Sequence, residues 1–244
     1  MMINLQKISL ALSCCMLLCN CMSSKKGANN TLNRKEMAAG WQLLFDGKSL
    51  QQWHGYGPKA RSSAWMIKDD CILLDAALLK KGIAGGDLVS NKSYQNFHLK
   101  YEWKISAGGN SGLIFFIQED SSRFWNTYSS GPEMQVLDNA VHADGKIRKH
   151  RAGDLFDMME AKPNTLPAGQ WNRAEIIAQN GFLQFKMNGK ISLQTPVTGS
   201  EWQQLIAASK FKDWRGFGQI TMGKIALQEH GDSVWYRNIK IREL

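Results

Sequence analysis

Apolar and polar positions alternate most regularly between residues 96 and 106. The apolar positions of this stretch are Phe97, Leu99, Tyr101, Trp103 and Ile105. The intervening positions are His98, Lys100, Glu102 and Lys104, with Ser106 at the end. Because successive side chains of a strand point to opposite faces, the pattern predicts an antiparallel strand with one buried and one solvated face.

Shorter patterns predict strands along most of the remaining chain. The segments are 65–67, 71–74, 155–159, 171–178, 182–187, 191–193, 218–228 and 233–242. In the last of them Trp235, Arg237, Ile239 and Ile241 are predicted to share a face. Asn180-Gly181 and Asn188-Gly189 are hairpin turn signals, and residues 201–210 form one amphipathic helix. These elements predict an all-β, two-sheet jelly roll or sandwich with one short helix.

The segment 108–139 combines strand patterns with unusual polar residues. Residues 113–117 predict a short buried strand, and residues 133–138 alternate. On this second strand Glu133, Gln135 and Leu137 share one face. A carboxylate and an amide together on one strand face indicate either a solvent-facing sheet surface or a functional site.

The amino terminus has the features of an export signal. Lys7 precedes an uncharged apolar run, residues 8–18, that is too short to span a membrane. The following segment resembles a bacterial lipoprotein signal with Cys21 as the lipidated residue; a plain secretory signal is the alternative. We therefore predict a signal peptide over residues 1–20, a flexible tether over 21–39 and one domain over 40–244. The expected location is periplasmic or outer-membrane anchored, with the membrane contacted through Cys21.

Composition narrows the class of partner. The chain has 244 residues, a net charge of +9 and nine Trp. Its basic residues are scattered, and the one dense run, residues 148–151, is interpreted as a solvated loop, so nucleic acid is not expected as a partner. With Cys21 lipidated, Cys71 is left without a disulfide partner in the mature chain.

Four segments carry a resemblance to a known family. They are WQLLFDGKSLQQW near residue 40, FHLKYEWKISAGGNSGLIFF, GPEMQVLDN, and the closing IALQEHGDSVWYRNIKIREL. In this order they resemble the 3-keto-disaccharide hydrolase family, formerly a domain of unknown function, over residues 40–244. The resemblance implies a concanavalin-like jelly roll whose concave sheet forms a saccharide cleft, and cleavage of glycosides already oxidised at C3. Residues 140–154 depart from it, because many relatives have a shorter segment there.

The residue spacing argues against an ordinary glycosidase. Glu133 and Asp138 are five positions apart, so on a regular strand they face opposite sides, whereas glycosidases need two carboxyl groups flanking one bond. A 3-keto sugar needs instead a base for the acidic C2 proton, a stabiliser of the enolate oxygen and an acid for the leaving group. The candidates for proton transfer are Glu133, Asp138, His142 and His230. The candidates for substrate binding are Asn110, Gln135, Asn139, Gln228, Arg237 and Trp53, with Trp125 and Trp214 as further stacking platforms.

Several alternatives stay open. Asn110, Asp138, Asn139 and His230 also fit turns, His142 fits a surface loop, Arg237 fits an outward edge-strand charge, and Trp103 and Trp171 fit the core. No motif requires a cofactor, and a divalent metal ion is an open alternative for polarising the ketone. If the strands of Glu133 and Gln228 are neighbours on the concave sheet, the side chains of Glu133, Gln135, Gln228 and His230 converge. The alternative functions are a non-catalytic carbohydrate-binding module and an assembly partner of an outer-membrane glycan system.

Overall fold

The computed structural model of the protein describes residues 28–244, which fold as two packed antiparallel sheets. The strands are β1 Gln42–Leu43, β2 Trp53–Gly55, β3 Trp65–Lys68, β4 Cys71–Leu74, β5 Leu88–Ser90, β6 Phe97–Ile105, β7 Asn110–Ile117, β8 Glu133–Leu137, β9 Asn172–Gln179, β10 Phe182–Met187, β11 Lys190–Pro196, β12 Lys224–Leu227 and β13 Val234–Glu243. The larger sheet has the order β11-β10-β9-β6-β13-β4-β3, with β1 paired to β13. The smaller sheet has the order β2-β5-β12-β7-β8. The predicted two-sheet sandwich is confirmed.

The strand with the clearest alternation lies near the middle of the larger sheet. Along β6 every second residue is buried and the residues between are partly exposed. At the two predicted hairpins, both residues of Asn180-Gly181 and of Asn188-Gly189 have positive φ, as a two-residue turn of this type requires. Local sequence therefore determined these elements correctly.

The hydrophobic core lies between the two sheets and is rich in aromatic side chains. Tyr101 and Tyr236 of the larger sheet reach across it: the Tyr101 hydroxyl donates to Met134 Sδ at 3.1 Å, and the Tyr236 and Ser111 hydroxyls are 2.8 Å apart. Because Met134 is fully buried and contacts Tyr101 of the opposite sheet, it lies on the face of β8 that points into the core.

Several predicted elements differ in the structure. The predicted helix is present as α3 Gly199–Ala207, and two further short helices, α1 Arg34–Ala38 and α2 Ala76–Lys80, were not predicted. Residues 155–159 form a turn closed by an isolated bridge, not a strand. Of the predicted strand 218–228, the part that is extended and paired is β12. Side-chain periodicity does not report whether a segment finds a pairing partner, which decides these cases.

The last strand contains a register shift that the sequence pattern did not reveal. Between Arg237 and Lys240 the pairing of β13 with β6 shifts, and Asn238 has φ 53°. Such a bulge reverses the face of the residues that follow it. Arg237 therefore lies on the outer surface, whereas Ile239 and Ile241 enter the core. The prediction that Arg237 shares a face with these two isoleucines was wrong.

The second half of the predicted tether is folded. Asn30 is buried and exchanges two hydrogen bonds of 2.7 Å with Asn238, backbone N–H to side-chain oxygen in each direction. Asn33 caps α1 through a capping box with Glu36. Residues 28–39 are thus part of the domain and not a flexible linker. The predicted signal peptide and Cys21 lie outside the described residues, and within residues 28–244 no helix has the length and apolarity needed to cross a membrane.

Candidate active site

The alternation of β8 directs two polar side chains away from the core. Because Met134 points toward the larger sheet, Glu133 and Gln135 point to the opposite, outer face of the smaller sheet. Both are nevertheless buried, at 5% and 1% exposure. Loops that cross over this sheet cover them. The prediction that Glu133 and Gln135 share a face, with Met134 and Val136 on the other, is confirmed.

A glycine on the neighbouring strand makes room for the carboxyl group. In the sheet β7 lies between β8 and β12, so the strands of Glu133 and Gln228 belong to the same sheet but are not direct neighbours. At Gly112 on β7 a Cβ atom would overlap the Glu133 carboxylate. Since Gly112 has no side chain, the Gln228 amide reaches across β7 and donates to Glu133 Oε2 at 3.3 Å. The side chains of Glu133 and Gln228 therefore meet above Gly112, where the missing side chain leaves space for them.

These residues form the floor of a groove of about 340 Å³. Five residues predicted from the sequence line it: Asn110, Glu133, Gln135, Gln228 and His230. Seven further residues line it, and the sequence analysis proposed none of them for the site: Tyr128, Asp144, His150, Phe156, Lys210, Phe211 and Glu229. This mixture of amides, ionisable groups and aromatic rings is typical of a site for a polar organic ligand.

The side-chain oxygen of Asn110 is buried in this groove without a hydrogen-bond partner. Asn110 is 4% exposed, and its Oδ1 accepts no hydrogen bond from any described residue. Its backbone N–H is occupied, since it donates to Asp232 at 3.1 Å. A buried acceptor without a donor costs about 1–3 kcal/mol. Because Asn110 lines the groove, a ligand hydroxyl group is the donor that we expect to satisfy this oxygen.

The environment of Glu133 favours its protonated form. Burial raises the pKa of Glu133 to about 8, and the nearby Asp87 carboxylate adds to the increase. The Lys210 ammonium group and the hydrogen bond from Gln228 oppose it. A carboxyl group whose pKa lies near neutral pH inside a groove is suited to acid–base chemistry.

A loop between β8 and β9 adds a histidine held between two carboxylates. His150 Nε2 lies 2.8 Å from Asp157 Oδ1, and its Nδ1 lies 3.4 Å from Asp144 Oδ2. The ring packs on Phe156 with centroids 4.5 Å apart. The sequence analysis interpreted residues 148–151 as a solvated loop, which was wrong for His150. Two Asp residues six or seven positions from His150 were the available signal.

The segment after α3 adds a cation to the groove. The Lys210 Nζ atom lies 4.1 Å from the centroid of the Phe156 ring, and the backbone N–H of Lys210 donates to Asp157. Burial lowers the pKa of Lys210, whereas the carboxylates of Glu133, Asp157 and Asp144 oppose that decrease. The groove therefore contains an ammonium group at its loop side and a carboxyl group at its floor.

Three predicted residues have structural contacts instead of lining the groove. Asp138 is buried and accepts hydrogen bonds from the N–H groups of Gly108 and Ala140. Asn139 accepts from Ala152 N–H at 2.8 Å and donates to Thr165. His142 caps the 3₁₀ helix Ala143–Lys146 by accepting from the Asp144 N–H. All three stabilise the loop that follows β8.

Two other predicted residues lie far from the groove. Arg237, on the outer face of the larger sheet, pairs with Glu102 at 2.8 Å and stacks on the Trp171 ring at 3.9 Å. Trp53 is 3% exposed and donates to the Leu44 carbonyl, so it is a core residue. Trp171, predicted as core, is partly exposed instead, whereas Trp103 is buried as predicted.

A larger cavity of about 440 Å³ exists elsewhere, between residues 28–36 and the outer face of the larger sheet. Its charged side chains neutralise one another, as in the pairs Lys240–Glu36 and Arg173–Glu102. We therefore locate the candidate site at the smaller groove. Within residues 28–244, no three His, Cys, Asp or Glu side chains are grouped so as to hold a metal ion.

The fold and the groove define a β-sandwich protein with a site suited to a saccharide. Residues 40–242 match the model of the 3-keto-alpha-glucoside-1,2-lyase-like domain family. The chain therefore belongs to this family, and the resemblance of its motifs is confirmed.

Its similarities to individual proteins agree with this assignment. The chain is 36% identical over 247 residues to a 3-keto-disaccharide hydrolase of Bacteroides thetaiotaomicron, covering 91% of this chain and 84% of that protein. It is also similar to the crystal structure of a presumed glycosyl hydrolase from Parabacteroides distasonis, with a TM-score of 0.79 and 27% identity over 89% of this chain and all of the other. A second such structure from that organism has a TM-score of 0.65 at 24% identity, covering 84% of this chain and 99% of the other.

Proposed function

We propose that the protein is a glycosidase-type enzyme that cleaves the glycosidic bond of 3-keto glycosides, disaccharides among them. The observation that carries the proposal is the buried Glu133 carboxyl group, placed over Gly112 in a groove lined by amides. Family membership and the similarity to a 3-keto-disaccharide hydrolase support the substrate class. The reaction is removal of the C2 proton, elimination of the group at C1, and addition of water.

Glu133 is the base in this proposal. A ketone at C3 acidifies the C2 proton, and a carboxylate with a pKa of about 8 is a stronger base than an ordinary one. Its hydrogen bond to Gln228 occupies one carboxylate oxygen, so the other is available to the substrate. Glu133 accepts the proton, and the electron pair moves into the C2–C3 bond to give an enolate.

The polar residues around Glu133 bind the substrate and stabilise the enolate. The Gln135 Oε1 atom accepts the Val136 N–H at 3.0 Å, which leaves its NH₂ group for the ligand. The unpaired Asn110 Oδ1 accepts a sugar hydroxyl group. The Lys210 ammonium group supplies positive charge where the enolate oxygen develops its negative charge.

The elimination step requires a proton for the leaving oxygen. His230 lines the groove two residues after Gln228, and a protonated imidazole can donate a proton to a leaving oxygen. As the enolate collapses, the C1–O bond breaks and His230 protonates the departing oxygen. Water then adds at C1 of the unsaturated ketone and gives its proton to His230, and the Glu133 carboxyl group returns its proton to C2. The net reaction is hydrolysis.

Incubation of the purified protein with a 3-keto disaccharide tests the proposal, with and without a chelator. The released sugar is quantified by chromatography. We expect release by the wild type and an approximately hundredfold or larger loss in the E133Q and H230A variants. The matched control is E201Q, which removes an exposed carboxyl group on α3. Saccharide binding without any cleavage would favour the carbohydrate-binding alternative instead.

We further propose that the protein is exported and anchored through Cys21. The support is the sequence of residues 1–21, in which an uncharged run precedes this cysteine. A lipid at that position would hold the catalytic domain near a membrane surface.

A further inference from the structure

A second cavity adjoins the groove and shares part of its wall. It measures about 250 Å³ and is lined by Tyr56, Gly85, Asp87, Trp125, Asn126 and other residues of the neighbouring loops. Tyr128 and Glu229 line both this cavity and the groove. The two spaces are therefore adjacent, and Tyr128 and Glu229 form the boundary between them.

The wall between the two spaces is held in place by Asp87. Its carboxylate accepts the Thr127 hydroxyl, and its other oxygen accepts the Glu229 N–H at 2.8 Å. Thr127 begins the short 3₁₀ helix that carries Tyr128. At Gly85 a Cβ atom would overlap the Glu229 carboxylate, so the glycine makes space for this side chain as Gly112 does for Glu133. Both boundary residues are thus fixed by contacts of their own.

The outer part of the second cavity carries an exposed indole ring. Trp125 is 63% exposed, an unusual state for so large an apolar side chain. The Tyr128 ring packs edge-on against it with centroids 5.0 Å apart, and Trp214 does so at 5.7 Å. Contacts on its edges orient the indole while leaving surface for a ligand. The apolar face of a sugar ring stacks on such a surface.

We propose that this cavity is the subsite for the second sugar, the ring that departs when the glycosidic bond is cleaved. The proposal rests on the function proposed above, in which the oxidised ring occupies the groove beside Glu133. The scissile bond then lies at the Tyr128–Glu229 boundary. His230 follows Glu229 directly and is therefore close to the departing oxygen that it protonates. Trp125 stacks on the second ring, and Glu229 accepts hydrogen bonds from its hydroxyl groups.

The test compares two ligands that differ by the second ring. The dissociation constants of methyl 3-ketoglucoside and of a 3-keto glucosyl-glucose disaccharide are measured by calorimetry with the E133Q protein. We expect the disaccharide to bind more tightly than the methyl glycoside. Adding W125A should weaken the disaccharide about fivefold or more and leave the methyl glycoside unchanged. W125F, which retains an aromatic face, should weaken disaccharide binding less than W125A does.

The control variant changes a tryptophan that lines neither cavity. W171A removes a partly exposed tryptophan on the other sheet and should change neither affinity. Equal affinities for the two ligands in E133Q, or an equal loss for both in W125A/E133Q, would overturn the subsite. Because binding is measured without turnover, a wild type that binds the disaccharide preferentially but releases no sugar would refute the proposed reaction alone.

Discussion

At the scale of single residues, Glu133 is where stability and chemistry conflict most clearly. A carboxyl group on the floor of a covered groove, with a single side-chain hydrogen bond from an amide, loses its hydration without gaining an ion pair at hydrogen-bond distance. An apolar residue of similar size would be expected to stabilise the domain more. The burial that destabilises the carboxylate also makes it a stronger base, which is the property that the proposed reaction uses.

The pH dependence of catalysis follows from this assignment. Glu133 acts in its ionised form, and burial raises its pKa to about 8. Because Glu133 must be ionised and His230 must carry the proton that it donates, we expect a bell-shaped dependence of kcat/KM on pH for a 3-keto disaccharide: the rate rises as Glu133 ionises and falls at high pH as His230 loses its proton. Steady-state rates between pH 5.5 and 9.5 measure this profile. A rate that falls throughout this range, with no rising limb at low pH, would contradict the assignment of Glu133 as the base.

The same pKa shift predicts a pH-dependent change in stability. The pKa of Glu133 is about 8 in the folded protein and 4.5 in the unfolded chain, where the carboxyl group is exposed to solvent. Between these pH values the folded state therefore binds more protons than the unfolded state. The free energy of unfolding contributed by this group therefore falls as pH rises from 4.5 to 8, by on the order of a few kcal/mol. The E133Q variant has no ionisable group at this position, so its free energy of unfolding should not show this decrease.

Thermal unfolding of wild type and E133Q should show the difference. We expect similar Tm values near pH 5 and a higher Tm for E133Q near pH 8. E201Q, with its exposed carboxyl group, should follow the wild type at both pH values. Parallel curves for wild type and E133Q across this range would contradict the raised pKa.

At the scale of secondary structure elements, the site depends on three adjacent strands and one missing side chain. β8 supplies Glu133 and Gln135, the residue after β12 supplies Gln228, and β7 lies between them. The backbone N–H of Gln228 donates to the Gly112 carbonyl at 2.9 Å, which fixes the register of the two strands at this level. Any side chain at Gly112 would occupy the space of the Glu133 carboxylate.

G112A should therefore lower activity by displacing Glu133. The backbone at Gly112 is not in the left-handed region, so the substitution adds no strain of that kind, and the overlapping atoms all belong to the Glu133 side chain. We expect kcat to fall at least tenfold while the domain stays folded by circular dichroism. In the E133Q background the same substitution should have little further effect on the rate. If G112A lowered kcat by the same factor in the E133Q background as in the wild type, Gly112 would act independently of Glu133.

The elements themselves differ in how far the sequence predicts them. β6 and the Asn-Gly hairpins are predicted because their information is local: side-chain periodicity and turn residues with positive φ. The bulge of β13 is not, because Asn238 adopts φ 53° within its contacts to Asn30, more than two hundred positions away. Such long-range contacts leave no periodic signal in the strand.

At the scale of the whole molecule, the loops convert a sheet face into a groove. The segment between β8 and β9 brings Asp144 and His150 over the smaller sheet, and the segment after α3 brings Lys210. Residues 140–154, the segment expected from the sequence to depart from the pattern of many relatives, therefore contribute two side chains to the groove.

The proposed lipid anchor at Cys21 determines where the whole chain is located. We expect the wild type to incorporate labelled fatty acid and to sediment with membranes when expressed in a bacterium that processes lipoproteins. C21S should do neither, and C19S should behave like the wild type, because Cys19 belongs to the predicted signal peptide. Secretion of wild-type protein cut at another position, without label, would support the plain secretory signal.

The sequence by itself determined the all-β sandwich, the family, and five of the residues that line the groove. It could do so because strand periodicity assigns Glu133 and Gln135 to one face, and short motifs keep Asn110, Gln228 and His230 in recognisable order. The tertiary structure alone decided that these residues converge over Gly112, that Trp53 is in the core, and that His150 and Lys210 join the site. Those outcomes depend on which strands pair and on where loops pack, and both are set by contacts between residues far apart in the chain.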